Sequence, residues 1–194
     1  MTRDIPPIVI AHCKNTHALI GEDIVGYYFD DNYWHLEVIL KLKSGIQATA
    51  FNHEKRLSKY FVVLPIDLKF DITSDVPLID VSPSIQVSQV KPLWRSEWNE
   101  PIDFDNSLKG AGPHYQQTGG AIGSVPPNAD KHCIVLVGLL IHGECGDRIL
   151  LYTGTDNPLN TNIATDSDEI DLVLSNFTIG TSTDFSTPPS SNHS

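Results

Sequence analysis

The chain has 194 residues, 40% of them hydrophobic, which is enough apolar material for one large domain or two small ones and excludes disorder of the whole. Its formal net charge is −11, carried unevenly: residues 1–100 hold 10 Lys/Arg against 13 Asp/Glu, and residues 101–194 hold only Lys109, Lys131 and Arg148 against 11 acids. Such a surface repels phosphate groups, so nucleic acid and anionic membrane are excluded as partners, and a basic protein is the partner that the field would steer in.

Taken in chain order, the apolar stretch at residues 5–11 is short and broken by Pro6 and Pro7, so it is read neither as a signal peptide nor as a membrane span. Cys13, Cys133 and Cys145 make an odd count without disulfide-framework spacing, and a reducing, cytoplasmic setting is expected. Residues 24–29 read as a strand, followed by a polar turn at Asp30-Asp31-Asn32. Leu36, Val38, Leu40 and Leu42 alternate along a second strand, and Ser44-Gly45 turns the chain into a third at 46–51. Together these predict a three-stranded meander over residues 23–52.

Residues 53–60 are charged and suit a turn or two of helix. Residues 61–68 return to an apolar run, bent or edge-placed by Pro65. Residues 71–92 are rich in Pro, Ser and Asp, with one strand expected at 85–90. Residues 99–130, with Gly110, Gly112, Gly119, Gly120, Gly123, Pro113, Pro126 and Pro127, read as a long loop. The run at 134–142 is almost continuously apolar, as in a strand buried on both faces. Gly143 to Asp147 is a tight turn from which 148–153 pairs back. Ser167-Asp168-Glu169 opens a capped helical turn or a last strand at 170–174. Val25-Gly26-Tyr27, ahead of a turn and an aliphatic strand, is echoed by Val137-Gly138-Leu139 ahead of a turn and Ile149-Leu150-Leu151.

The expected class is α+β, mostly antiparallel β: one or two β-meander sheets, few short helices and a long Gly/Pro-rich loop. The expected division is a β-rich half at 1–98, the loop at 99–130, a β-rich segment at 131–179 packing on the first, and a disordered tail at 180–194.

Several residues could carry chemistry. His12, Cys13 and His17 lie close in sequence, as do His132, Cys133, His142 and Cys145, but no zinc-ligand spacing is matched, because neighbours on a strand point to opposite faces. His132, His142 and Cys145 are the metal candidates. Cys145, with His142 beside it and His114 from the glycine-rich loop, is the nucleophile candidate, although Gly143-Glu-Cys-Gly-Asp147 lacks the second glycine of a nucleophile elbow. The acid cluster Asp166, Asp168, Glu169 and Asp171 misses the calcium-loop pattern, since its sixth position is Asp171 and not Gly. Gly110-Ala-Gly112 meets Tyr115 where a dinucleotide loop needs glycine, and no phosphate-loop pattern occurs. No cofactor is implied. Trp94, Arg95 and Trp98, near Tyr115, are the residue types of interface hot spots. With Asp166, Asp168 and Glu169 they make the candidate interaction set.

These features favour a non-catalytic protein-binding module that docks onto a basic partner. In size, charge and meander pattern the chain resembles the small acidic proteins that bacteria keep beside toxins as immunity partners, a likeness without a diagnostic motif. The alternatives are a Cys/His-dependent or metal-dependent hydrolase and a structural module that assembles.

Overall fold

The computed structural model describes residues 6–11, 13–29, 37–59, 61–72, 77–102, 114–120, 122–123, 125–154, 160–176 and 180–189. Its elements in chain order are β1 (Ile8–Ile10), a 3₁₀ turn (Thr16–Leu19), β2 (Asp23–Phe29), β3 (Glu37–Leu42), β4 (Ile46–Asn52), β5 (Lys55–Ser58) and β6 (Phe61–Val63). There follow β7 (Ile66–Ile72), β8 (Ile79–Ile102), β9 (His114–Gly120), β10 (Lys131–Gly143), β11 (Arg148–Thr153), β12 (Thr161–Ala164), α1 (Ser167–Asn176) and β13 (Gly180–Thr181). The fold is mostly antiparallel β with one α-helix among the described residues; β1 alone pairs in parallel, on β10.

Alternation places β2, β3 and β4 where the sequence puts its first strands. Val38, Leu40 and Leu42 all point inward and are buried, and Gly45 makes the β3–β4 turn at φ +88°, a conformation that side-chain-bearing residues rarely adopt. The hydrogen-bonded path through the main sheet runs β12-β11-β10-β8-β2-β3-β4-β7. β8 is the hinge of this path. Its first part pairs with β2, its middle and end pair with β10, and its last seven residues also pair with β9.

β10 shows why a continuous apolar run was needed. Ile134, Leu136, Leu139 and Ile141 enter a core shared with Leu40, Leu42, Ala48, Ile66 and Trp94. Cys133, Val135, Val137 and Leu140 enter a second core on the opposite face, with Ile10, Phe61, Val63, Leu150, Ile170 and Val173. The inward parity changes from even to odd at a bulge between Leu136 and Gly138, where one extra residue is inserted against β8. The β5–β6 hairpin and α1 supply the apolar side chains that cover this second face.

Four expectations change. Residues 55–58 form a strand and not a helical turn, because pairing with β6 lets Phe61 and Val63 bury, and tertiary burial outweighs local preference. The Pro-rich stretch carries a 24-residue strand rather than a short one at 85–90. Pro92 fits within it because its carbonyl faces away from β10, towards Ser182, so the missing N–H falls on that side as well. Within the expected loop at 99–130, residues 99–102 finish β8 and His114–Gly120 form β9; the glycines 110 and 112 and Pro113 lie outside the described residues. In the expected disordered tail, Gly180 and Thr181 pair with Trp94 and Leu93, while residues 190–194 lie outside the described set. The polar turn at 30–32 is likewise outside it.

The layering sets a contrast in mutational cost. Leu136 is fully buried in the first core, whereas Ile72 is 91% exposed at the end of β7. Leu136→Ala is expected to cost about 2–5 kcal/mol, and Ile72→Ala to stay within about 0.5 kcal/mol, in urea-unfolding measurements. Equal costs at the two positions would contradict the described packing.

Candidate functional site

Exposed acids lie on the β10–β11 turn and at the start of α1, and Arg148 links the two elements. Gly143 and Asp147 close the turn through an N–H to carbonyl bond of 2.8 Å, and Gly146 takes φ +92°, which leaves Glu144, Cys145 and Asp147 facing solvent. α1 forms because Ile170 and Val173 bury against the second core and because Asp166 caps its N-terminus. One Asp166 carboxylate oxygen accepts the backbone N–H groups of Asp168 at 2.9 Å and Glu169 at 3.1 Å. Asp168 and Glu169 lie in the first turn, where negative charge suits the helix dipole.

Arg148 joins the two pieces. Its guanidinium donates to Asp171 at 2.7 Å and to the Ser167 carbonyl at 3.3 Å. The hydrogen bond from Arg148 holds the Asp171 carboxyl below the usual carboxylate range. Glu144 and Asp147 are exposed on the turn, Asp166, Asp168, Glu169 and Asp171 are exposed at the start of α1, and Leu172 beside Asp171 is 58% exposed. Of the sequence-derived interaction residues, Asp168 and Glu169 are therefore free for contact, while Asp166 is committed to capping. Leu172 and Arg148 were missed; their spacing from the acids along α1 and β11 carries no signal until the two elements touch.

The aromatic half of the interaction set is placed differently. Trp94, Arg95 and Trp98 are buried, and Tyr115 is half-buried opposite Pro101, so these four do not form an exposed patch. Trp94 points into the first core and donates its indole N–H to the Ser182 hydroxyl at 2.9 Å. Arg95 and Glu97 point to the other face of β8. The guanidinium binds one Glu97 oxygen through Nε at 3.1 Å and again through Nη2, and the Gln117 amide binds the other oxygen. Gly119 lies close against β8: a Cβ there would stand 3.3 Å from the Ser96 carbonyl oxygen, with Arg95 Cδ in ordinary contact at 3.4 Å. Arg95 Nη1 and Asn99 Oδ1 are buried without a hydrogen-bond partner in the structure. Glu97 and Gln117, which the sequence reading passed over, thus lock β9 onto β8.

The candidate catalytic and metal residues are not brought together. His142 pairs with Gln89 of β8, whereas His114 pairs with Ile102. Thirteen residues of extended strand separate those positions, about 40 Å along β8. His132, opposite Trp98, stands about 30 Å along β10 from His142. It is buried and contacts the Ser96 hydroxyl at 3.4 Å. Cys145 is near His142 in sequence but faces solvent on the turn. Burial, with Lys91 and Arg148 nearby, pushes the His142 imidazole below its ordinary value. Burial pushes the Cys13 and Cys133 thiols far up, so neither is a nucleophile. Among the described residues no group of three His, Cys, Asp or Glu is arranged to hold a metal; His12 lies outside them.

Comparison with protein-family models, with curated proteins and with solved structures returns no match for this chain.

Two measurements check these placements. Native protein treated with iodoacetamide is expected to label at Cys145 alone, with Cys13 and Cys133 reacting only after denaturation; fast native labelling of either buried thiol would contradict the described cores. Glu97→Ala leaves a buried guanidinium without its carboxylate and is expected to cost about 3–5 kcal/mol in urea unfolding. A loss below about 1 kcal/mol would mean that the pair does not hold β9.

Proposed function

We propose that the chain is a non-catalytic binding module that docks its acidic end onto a basic protein, in the manner of an inhibitor or immunity partner. The observation that carries this reading is that Arg148 ties the acidic start of α1, with exposed Asp168, Glu169, Asp171 and Leu172, to the strand that follows the turn bearing exposed Glu144 and Asp147. Carboxylates of one sign attract a cationic surface over a Debye length of about 8–10 Å, and an exposed aliphatic side chain beside them gives the encounter an apolar contact to close on. Six of the eleven acids of residues 101–194 belong to these two segments.

The hydrolase alternative draws less support. It requires His114, His142 and Cys145 to share one site, and the strand register holds His114 about 40 Å along β8 from the other two. Three unpaired cysteines suit a reducing compartment, and we place the protein in the cytoplasm on that ground. No helix among the described residues is long and apolar enough to cross a membrane.

The test is kinetic. With the full chain as bait, a partner recovered by pull-down from native lysate is expected to be basic, and its association rate to fall about tenfold or more between low and high salt. A triple variant, Glu144→Gln, Asp147→Asn and Glu169→Gln, spares the Asp166 cap and the Arg148–Asp171 bond. It is expected to slow association by a similar factor at low salt while leaving the unfolding midpoint in place. Association that ignores both salt and the triple variant would overturn the reading.

A further inference from the structure

The second edge of β8 is divided among three neighbours. β2 pairs with it as far as Gln86, Gly21 and Glu22 bond to Val87, and β9 takes over from Ser96. Between these the described chain leaves a gap that only β13 fills: Gly180 opposes Trp94, Thr181 opposes Leu93, and the Ser182 N–H reaches the Pro92 carbonyl at 3.4 Å.

Residues 180–189 hold themselves in shape more than they hold the body. The Asp184 carboxylate accepts the Ser186 N–H at 2.9 Å, the Ser186 hydroxyl at 2.7 Å and the Thr187 hydroxyl at 3.1 Å. The Ser182 hydroxyl donates to the Asp184 carbonyl at 2.7 Å. Against the body the segment offers the short ladder, the Trp94 indole bond and a partly buried Phe185, and the rest of it is exposed or half-exposed. A segment with so few buried apolar contacts opens at much lower free energy than the strands beneath it. What it covers is a row of strand hydrogen-bonding groups beside a fully buried tryptophan.

We propose that residues 180–189 are a strap that opens while the sheet stays folded, and that the β8 edge it uncovers is a strand-addition site for an extended segment of another chain. The strap is the template for that segment: a glycine opposite Trp94 and, two residues on, a hydroxyl that accepts the indole N–H. Backbone pairing supplies the affinity, and the glycine–hydroxyl spacing supplies the selectivity. In the closed state the strap competes at the high effective concentration of a tethered ligand, of millimolar order, so it blocks the edge in cis. This surface is separate from the acidic end and stands whether or not that end docks a basic protein.

The experiment uses the full chain and, as probe, a fluorescent peptide with the sequence of residues 180–189. A Cβ on Gly180 would stand 2.9 Å from Pro189 Cγ within the strap and 3.1 Å from Ile122 Cδ1 of the body, so Gly180→Val is expected to loosen the strap and its seat. The variant is expected to bind the probe at least about tenfold more tightly than wild type, and a probe carrying Ser182→Ala to bind about fivefold more weakly than the parent peptide. Hydrogen exchange in the wild type is expected to show strap amides opening well before those of β10, with β10 unchanged in Gly180→Val. Full-chain Ser182→Ala provides the same comparison through loss of the indole bond. Equal probe binding by wild type and both variants, or strap amides that exchange only in step with β10, would overturn the proposal.

Discussion

Twelve residue pairs join β8 to β10, from Lys131 opposite Asn99 to Gly143 opposite Val87, and both hydrophobic cores hang on that one ladder. On one face it presents Trp94, Ile134, Leu136, Leu139 and Ile141 to the second half of the sheet, and on the other Leu93, Cys133, Val135, Val137 and Leu140 to the hairpin and the helix. Sheets buried on both faces dispense with the polar alternation that normally fixes register. Something else must fix it here. The bulge at Leu136/Gly138 and the Arg95–Glu97 pair do so together. A slip by one residue would carry both charges into the core that holds Trp94. The desolvation penalty of that misplacement far exceeds what a hydrophobic repacking could return.

Much of this was legible from residue order. The strand at 37–42 follows from side chains that alternate in period two, those at 24–29 and 46–51 from β-branched and aromatic content beside turn residues, and the buried strand at 134–142 from a run too apolar to face water and too short to cross a membrane. The echo between Val25-Gly26 and Val137-Gly138 also has a physical content. Both glycines follow a register shift, and at both a Cβ would press on a neighbouring strand's carbonyl, Ile79 at 3.0 Å and Leu151 at 2.8 Å. Glycine inside a strand marks a bulge or a close backbone approach, and here it marks both. That shared geometry is sufficient for the echo.

What stayed hidden was hidden for definite reasons. β9 is His-Tyr-Gln-Gln-Thr-Gly-Gly, with no apolar alternation to announce it; it is a strand because Glu97 and Asn99 of β8 give it partners. β5 is made by the burial of Phe61 and Val63, which local propensity at 55–58 does not register. The interaction set split for a similar reason. In a strand with two buried faces every position from Leu93 to Asn99 is inside, so tryptophan and arginine there are core residues whatever their reputation at interfaces. The acidic cluster at 166–171 reads the same in sequence and in space because it lies on the cap and first residues of one helix, and what the sequence lacked was Arg148 of β11, which bonds to it.

The way the chain treats its strand edges sets the gap in β8 apart from the two ends of the sheet. β7 ends the sheet with Asp67, Lys69 and Asp71 alternating along its solvent side, and the Asp67 carboxylate takes the Leu68 N–H at 2.8 Å. Charges and a self-satisfied amide of this kind discourage an incoming strand. β12 ends the other side after four residues, too short to template much pairing. The gap in β8 is guarded differently: it lies mid-strand at Lys91, Pro92 and Trp94, and a strap of the chain itself pairs with it. A protein that guards its permanent edges with carboxylates and a lysine, yet covers this one with a segment of its own backbone, retains an edge that pairing can still reach.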